Sequence, residues 1–418
     1  MKKSILLLIA FIFVFSFISV GIFASGGQEK TSDDGPVKLV VSSRLYSQPG
    51  EQQFLIDEIF PDFEAENNCV VMFEILEDEP LLKRAKFQKE SERINTDVVI
   101  AHAGMMSDWI DNDYVMPLPV EQWTDRTFSK AFRGSTTKDG KTYFAPVGGD
   151  VYLMLANKKA LPYLPEGADI NNITWEEYID WAVNIASGEG EGKCAVTGVP
   201  QKSLIYMYGG MFLSYGGEFP VINSPGAMEA WSLLAKMKDA YTPTVNTYEN
   251  VSSPMKSGEA WLTVAHMVRC GEVYKSNPSG YVLAPAPKGP EGIGSIAGAS
   301  GFAVVNGAPN EELAIKFVKY MTDPEVAVTI ARGTGGFIPP IDEAIEKLGD
   351  STEDEIIAQG INVLKNGVVA GVPSSEYTSW GAVKQVYDDA FQELILKKGA
   401  IDKTYLDEAQ ARIDALKK

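Results

Sequence analysis

The segment Tyr281-Val282-Leu283-Ala284-Pro285-Ala286-Pro287-Lys288-Gly289-Pro290-Glu291-Gly292, and the run Gly301-Phe302-Ala303-Val304-Val305-Asn306-Gly307 that follows, carry more architectural information than any other stretch. Residues 281–284 are apolar and rich in β-formers. Pro285 and Pro287 cannot donate to a sheet ladder, so a strand here stops or runs along an edge. The second apolar run is a further strand. Asn310 is then placed to cap a helix whose first turn, Glu311 and Glu312, suits the positive end of the dipole. Ala314, Phe317, Val318 and Met321 recur at i, i+3, i+4 and i+7 and make one buried face. Asp323-Pro324-Glu325 reads as a new N-cap with proline at the first helical position. Gly333-Thr334-Gly335-Gly336-Phe337-Ile338-Pro339-Pro340 closes the segment as a Gly/Pro elbow. Nothing in this stretch is catalytic.

Nearer the N-terminus the pattern alternates. Val37–Val41 is a strand, a helix is expected from about Gln52 to Asn67 with strain at Pro61, and Cys69–Phe73 is a second strand. A helix over Leu81–Glu92 and a strand over Asp97–Ile100 follow. This β-α-β-α-β order predicts a parallel sheet with right-handed crossovers. Ligands of such sheets sit at the carboxyl ends of strands, which singles out the loops Ser42–Tyr46 and Ala101–Gly104. Thr174 and Glu177 form a capping box, with Tyr178, Ala182, Ile185 and Ala186 on the face behind it. Ser203–Phe212 carries Tyr206 and Tyr208 at alternate positions. Met228–Ala240 is helical. In the tail, Val383, Val386, Tyr387, Ala390, Phe391 and Leu394 form one apolar helix face, and Leu406, Ala409, Ile413 and Leu416 another.

A chain of 418 residues is long enough for two domains with their own cores. Residues 1–24 read as a signal peptide: Lys2 and Lys3 precede an apolar run from Ile5 to Val20, and small residues follow at Ala24-Ser25. An uncleaved anchor is the other reading of that run. Residues 25–35 are a polar, Gly-rich leader. The protein is therefore expected outside the cytoplasm, in the periplasm or at the cell surface. A formal net charge of −19 argues against nucleic acid or anionic lipid as a partner. Three cysteines (Cys69, Cys194, Cys270) allow at most one internal disulfide, and none has zinc-like spacing. Cys69 reads as a small buried residue within its strand.

Four motifs carry a family resemblance: LAPAPKGPEG, GFAVVNGA, AIKFVKYMTDPE and the closing Gly/Pro turn occur in order. Together they resemble the late segment of bacterial extracellular solute-binding proteins of the sugar-binding type, the receptors of ATP-driven importers similar to maltodextrin-binding protein. The resemblance covers nearly all of the chain after the leader and is strongest beyond about residue 140. It implies an α/β, two-lobed periplasmic-binding-protein fold of type II, each lobe a mostly parallel sheet flanked by helices and discontinuous in sequence. Lobe 1 is expected from 36–149 and 300–335, and lobe 2 from 150–299 and 336–418. The implied partners are a small-molecule solute and membrane permease subunits of the importer, with the receptor itself monomeric.

The chemistry of an enzyme is hard to assemble from these residues. His102 and His266 are the only histidines, and no GxSxG elbow, P-loop or strand-borne GxGxxG is present. No catalytic residue, cofactor or metal is expected. A sugar site needs aromatic platforms for the C–H faces of the ring and polar groups for its hydroxyls. By the resemblance, Trp380 at the start of the tail helix matches a stacking aromatic, although such a residue also packs on cores. Tyr206 and Tyr208 align loosely with another, with core tyrosine as the rival reading. Trp261 reads as core. His266 and Arg269 fall where the family's strand ends in the cleft, and Arg44 and His102 fall in the two strand-end loops. Asp150 lies at the first crossing between lobes, where it could accept hydroxyls or cap a turn. Two arginines and two histidines would suit an acidic sugar or sugar phosphate. A receptor for a non-sugar anion or ferric ion is the alternative on the same fold, and a surface adhesin is a more distant one.

Overall fold

The computed structural model describes residues 35–128, 136–335 and 337–418. The expected signal peptide and most of the leader lie outside them. Residues 37–418 form one compact unit. It is built around separate hydrophobic cores for two lobes.

Lobe 1 begins as the alternation predicts. β1 (Val37–Ser43) pairs in parallel with β2 (Cys69–Ile75) on one side and β3 (Val98–His102) on the other. Between β1 and β2 the chain is helical throughout, as α1 (Pro49–Phe54), a π-helical turn over Leu55–Ile59, and α2 (Phe60–Asn67). Pro61 lacks an N–H and its ring crowds the turn before it. The widened turn lies in that place, with the Phe60 N–H reaching back to the Leu55 carbonyl. α3 (Asp78–Glu90) joins β2 to β3, and α4 (Ala103–Asp111) follows β3. A small hairpin, β4 (Thr137–Lys138) and β5 (Lys141–Thr142), precedes β6 (Ala145–Asp150).

The chain then enters lobe 2 with β7 (Tyr152–Asn157) and α5 (Trp175–Glu189). The capping box of α5 is complete: Thr174 Oγ1 accepts from the Glu177 N–H at 3.2 Å, and the Glu177 carboxylate accepts from the Thr174 N–H at 2.8 Å. β8 (Cys194–Ala195), α6 (Leu204–Ser214), α7 (Pro225–Leu234), α8 (Ser252–Ser257), β9 (Leu262–His266), α9 (Met267–Ser276), β10 (Tyr281–Pro285) and β11 (Gly294–Ile296) follow. β12 (Gly298–Val304) returns to lobe 1 and leads to α10 (Glu311–Met321), α11 (Pro324–Gly333) and α12 (Asp342–Ile345). Lobe 2 is finished by α13 (Thr352–Asn366), β13 (Val368–Ala370), α14 (Trp380–Ala390), a π-helical extension over Phe391–Lys398, and α15 (Lys403–Asp414).

Each lobe centres on one main sheet. The order is β2-β1-β3-β12-β6 in lobe 1 and β10-β7-β9-β8 in lobe 2. The expectation of mostly parallel sheets needs correcting. β12 runs antiparallel to both β3 and β6, and β7 runs antiparallel to both β9 and β10, so in the main sheet of lobe 2 only β8 and β9 are parallel. Parallel neighbours require a long crossover. β7 and β12 arrive instead as extended chain from the other lobe, so no crossover fixes their direction. β10 is an edge strand that ends at Pro285, where the missing N–H costs no ladder bond.

Asn310 precedes α10 as expected, but its side chain does not cap the helix. The Asp97 carboxylate, buried in lobe 1, accepts from the backbone N–H and the side-chain amide of Asn310. Ile341 and Ala344, beyond the expected boundary at 335, pack in the lobe 1 core, and Ile356 of α13 packs in the lobe 2 core. Between the lobes, Gly149 exchanges both backbone hydrogen bonds with Ile338, at 3.1 and 2.8 Å, while Ala299 pairs with Gly149 and Gly298 with Asp150. Three crossing segments thus lie side by side as a hinge. All three cysteines are buried and free. No helix among the described residues is long and apolar enough to cross a membrane.

Candidate functional site

The strand ends of lobe 1 supply a polar wall. Arg44 follows β1, where its Nε donates to Asp78 Oδ2 at 3.3 Å and lies 3.4 Å from a Glu77 carboxylate oxygen. His102 ends β3 and caps α4: its Nδ1 accepts from the Gly104 N–H at 3.3 Å. In a neutral ring that bond leaves the proton on Nε2. The ring is neutral because burial drives its pKa down to about 4, opposed by Asp78 and reinforced by Arg44, Lys384 and His266.

Lobe 2 supplies an aromatic wall. Trp380, the first residue of α14, donates its indole N–H to the Tyr206 hydroxyl on α6 at 2.9 Å. Phe219 packs against both rings, at 6.4 Å from Tyr206 and 6.0 Å from Trp380, and Tyr377 lies 5.5 Å from Trp380. Lys384, one turn along α14, holds its ammonium 5.5 Å from the centre of the Tyr206 ring. Burial lowers the Lys384 pKa, and Arg44 adds to the effect. Burial likewise pushes the Tyr206 phenol up to about 12. Tyr206 and Lys384 feel the charges of Asp78 and Arg44, so the two walls face each other closely.

The floor is at the hinge. Asp150 Oδ2 holds His266 Nδ1 at 2.6 Å, and its Oδ1 accepts from the Met267 N–H at 3.1 Å. His266 is flanked by Tyr152, with ring centres 4.6 Å apart, and by Tyr206 at 6.3 Å. Asp150 therefore orients a histidine as well as ending a strand. Arg269 lies beside this floor, bonded to Glu272 at 3.2 Å and reaching Glu51 of lobe 1 at 3.9 Å. Burial raises the Glu51 carboxyl above the ordinary carboxylate range, against the pull of Arg269.

Of the eight residues singled out from sequence, the structure brings Trp380, Tyr206, Arg44, His102, Asp150 and His266 to one cleft, with Arg269 at its margin. Tyr208 is elsewhere. Its side chain is fully buried in the lobe 2 core, hydrogen-bonded to the Tyr241 hydroxyl at 3.1 Å and packed on Trp231. Residues 206 and 208 lie on a helix, where a spacing of two turns side chains to nearly opposite faces, so only one of them can face the cleft. Trp261 packs on the lobe 2 core as expected. Sequence reasoning missed Lys384, Asp78, Glu51, Tyr152 and Phe219. Lys384 could have been found, because it stands four residues after Trp380 on the same helix face. Asp78 could also have been found, since it opens α3 directly after the strand-end loop of β2, to which the rule used for β1 and β3 applies equally.

Two lobes, a three-segment hinge and a cleft lined from both sides define a two-lobed binding protein. The chain belongs to the bacterial extracellular solute-binding proteins, whose family model matches residues 58–359. No curated protein matches it by sequence. Among solved structures it is similar to the GacH receptor of Streptomyces glaucescens, described unliganded and with acarbose, at 20% identity, with TM-score 0.72 and coverage of 91% of this chain and 97% of that one. It is also similar to maltose-bound MalE3 of T. maritima, at 17% identity, TM-score 0.71 and coverage of 91% and 99%. A third is a solute-binding protein of an ABC transporter from Agrobacterium radiobacter K84 in complex with ribitol, at 15% identity, TM-score 0.70 and coverage of 90% and 98%.

Proposed function

We propose that this protein is the extracytoplasmic receptor of an ATP-driven importer, that it binds a carbohydrate between its lobes, and that it delivers the sugar to membrane permease subunits. The observation that carries this reading is the fixed pair of rings, Trp380 and Tyr206, tied by an N–H to hydroxyl bond and facing a wall of polar groups. A flat aromatic surface suits the C–H face of a pyranose, and the opposing donors and acceptors suit its hydroxyls. A sugar touching both walls would favour the closed arrangement by differential contact. The receptors of similar fold named above, with acarbose, maltose and ribitol, support a polyhydroxylated ligand.

The arginines carry less of this reading than their sequence positions suggest. Arg44 is ion-paired with Asp78 and Glu77, and Arg269 with Glu272 and Glu51. Among the described residues no three His, Cys, Asp and Glu side chains converge in a manner suited to a metal ion.

The test is thermal unfolding of the purified protein against neutral oligosaccharides, polyols, uronates, sugar phosphates, amino acids and ferric citrate. A ligand at 100 times its Kd adds about 2.7 kcal/mol of stability, a visible rise in Tm. A rise with one of the carbohydrates supports the proposal. A rise confined to ferric citrate or amino acids overturns it.

A further inference from the structure

Two groups in the cleft lack the partners their surroundings demand. Lys384 is half-buried over the Tyr206 ring, and among the described residues no carboxylate comes within ion-pairing distance of it. Asp78 Oδ1 is buried and has no hydrogen-bond partner, although its other oxygen holds Arg44. Charges withdrawn from water are normally paired, and buried acceptors are normally bonded. The other cationic groups nearby are occupied or neutral: Arg44 and Arg269 have carboxylate partners, His266 is bonded to Asp150, and His102 caps α4.

We infer that the ligand is an acidic carbohydrate, a sugar carrying a uronate carboxylate, which pairs with the Lys384 ammonium while a ring hydroxyl donates to Asp78 Oδ1. The inference rests on the carbohydrate reading of the same cleft and makes it more specific. The ring would lie against Trp380 and Tyr206, which stand beside Lys384 on the same wall. One unpaired cation, with the carboxylates of Asp78, Asp388 and Glu77 close by, suits a monoanion. A dianionic phosphate would meet repulsion from those carboxylates. Burial disfavours the charged form of Lys384 in the protein alone, and an incoming carboxylate would restore it. Asp78 and Lys384 come from opposite lobes, so one ligand bonded to both would hold the lobes together.

Isothermal titration of the purified protein with galacturonate and glucuronate, their disaccharides, the matching neutral sugars and the sugar 1-phosphates tests this. The expected result is uronate binding at least about tenfold tighter than the neutral counterpart, with the gap narrowing as salt rises. Lys384→Met should remove that advantage, bringing uronate affinity down to that of the neutral counterpart, and Lys384→Arg should recover part of it. If Lys384→Met fails to fold, the salt dependence of the unaltered protein and Lys384→Arg decide the matter. Tighter binding of neutral sugars, with Lys384→Met unchanged, overturns the acidic-ligand inference and leaves the carbohydrate receptor standing. Tighter binding of a phosphate overturns the monoanion. No heat with any of these sugars overturns both readings.

Discussion

Trp380 does two things at once, and two substitutions separate them. Its indole N–H satisfies the Tyr206 hydroxyl, and its ring packs with Phe219 and Tyr377. Trp380→Ala removes both and should cost about 2 kcal/mol of stability, below the range for a fully buried tryptophan because this one is half-buried. It should also weaken ligand binding by about tenfold or more. Trp380→Phe keeps a smaller aromatic ring and loses the N–H, so calorimetry should show a smaller loss of affinity than Trp380→Ala. His102 governs a different measurement. Its pKa in the folded chain is about 4, against an ordinary 6.5. Between these values the unfolded chain takes up a proton that the folded chain refuses, so stability is present above pH 6.5 and is lost as pH falls toward 4. Asp388 works in the opposite direction, since burial raises its carboxyl to about 6 and its contribution is lost as pH rises through that value. The comparison must therefore be between variants. His102→Gln should show a flatter decline in Tm from pH 6.5 to 4 than the unaltered protein, by no more than about 3 kcal/mol in stability. Parallel curves would show that His102 does not titrate in this way.

The elements around these side chains were legible to unequal degrees. α10 and the α14 helix declared themselves through periodicity, and α5 through its capping box, because these signals are local. The strand β10 was legible even to its place at the sheet edge, since Pro285 forbids a ladder bond. Asn310 shows where local reading stops. Its sequence context is that of an N-cap, yet its backbone and side chain are held by Asp97, 213 residues earlier. The same carboxylate accepts from the Val40 N–H at 2.8 Å, so one buried acid joins the middle of β1 to the start of α10. Asp97→Ala would leave two backbone N–H groups without an acceptor and should cost about 3 kcal/mol or more. Urea unfolding followed by fluorescence should show a lower midpoint with the slope unchanged, while ligand affinity in the absence of urea stays as it was. A loss below about 0.5 kcal/mol would mean that water replaces the carboxylate. Of the site itself, the members at the ends of β1 and β3 were readable from topology, and the member at the end of β9 from the family resemblance. Tyr208 was not separable from Tyr206 until the segment was known to be helical. Lys384 and Asp78 were passed over although each carried a positional signal, Lys384 one helical turn beyond Trp380 and Asp78 just after the second strand, because neither signal names a partner until the opposing lobe is in place.

For the molecule as a whole, the question is whether ligand affinity depends on the lobes meeting, and one glycine allows it to be asked. Gly104 sits in the first turn of α4, in lobe 1, opposite Ser374 in the short 3-10 turn Ser374–Glu376 that leads into α14 in lobe 2. A Cβ added at Gly104 would overlap Ser374 Oγ and lie 3.0 Å from its Cβ. Gly104 is helical with an ordinary backbone conformation, and within its own lobe the nearest atom to the new Cβ is His102 Nδ1 at 3.4 Å, an ordinary contact. Gly104→Val should act as a wedge between lobes that each still fold. The hinge can absorb this displacement, because the crossings at Gly149, Ala299 and Ile338 are extended chain held by a few backbone hydrogen bonds. Three results follow from that picture. The ligand-free melting temperature should stay within a few degrees of the unaltered protein, affinity should fall at least about tenfold, and the decrease in radius of gyration on ligand addition should vanish in small-angle scattering. A ligand moves a closing equilibrium only by its preference for the closed form, and a wedge removes the contacts that create that preference. Unchanged affinity together with unchanged compaction would show that Ser374 simply moves aside and that closure does not pass through this contact. Unchanged affinity without compaction would show that one wall of the cleft binds the ligand alone, and the polar residues of lobe 1 would then have no part in recognition.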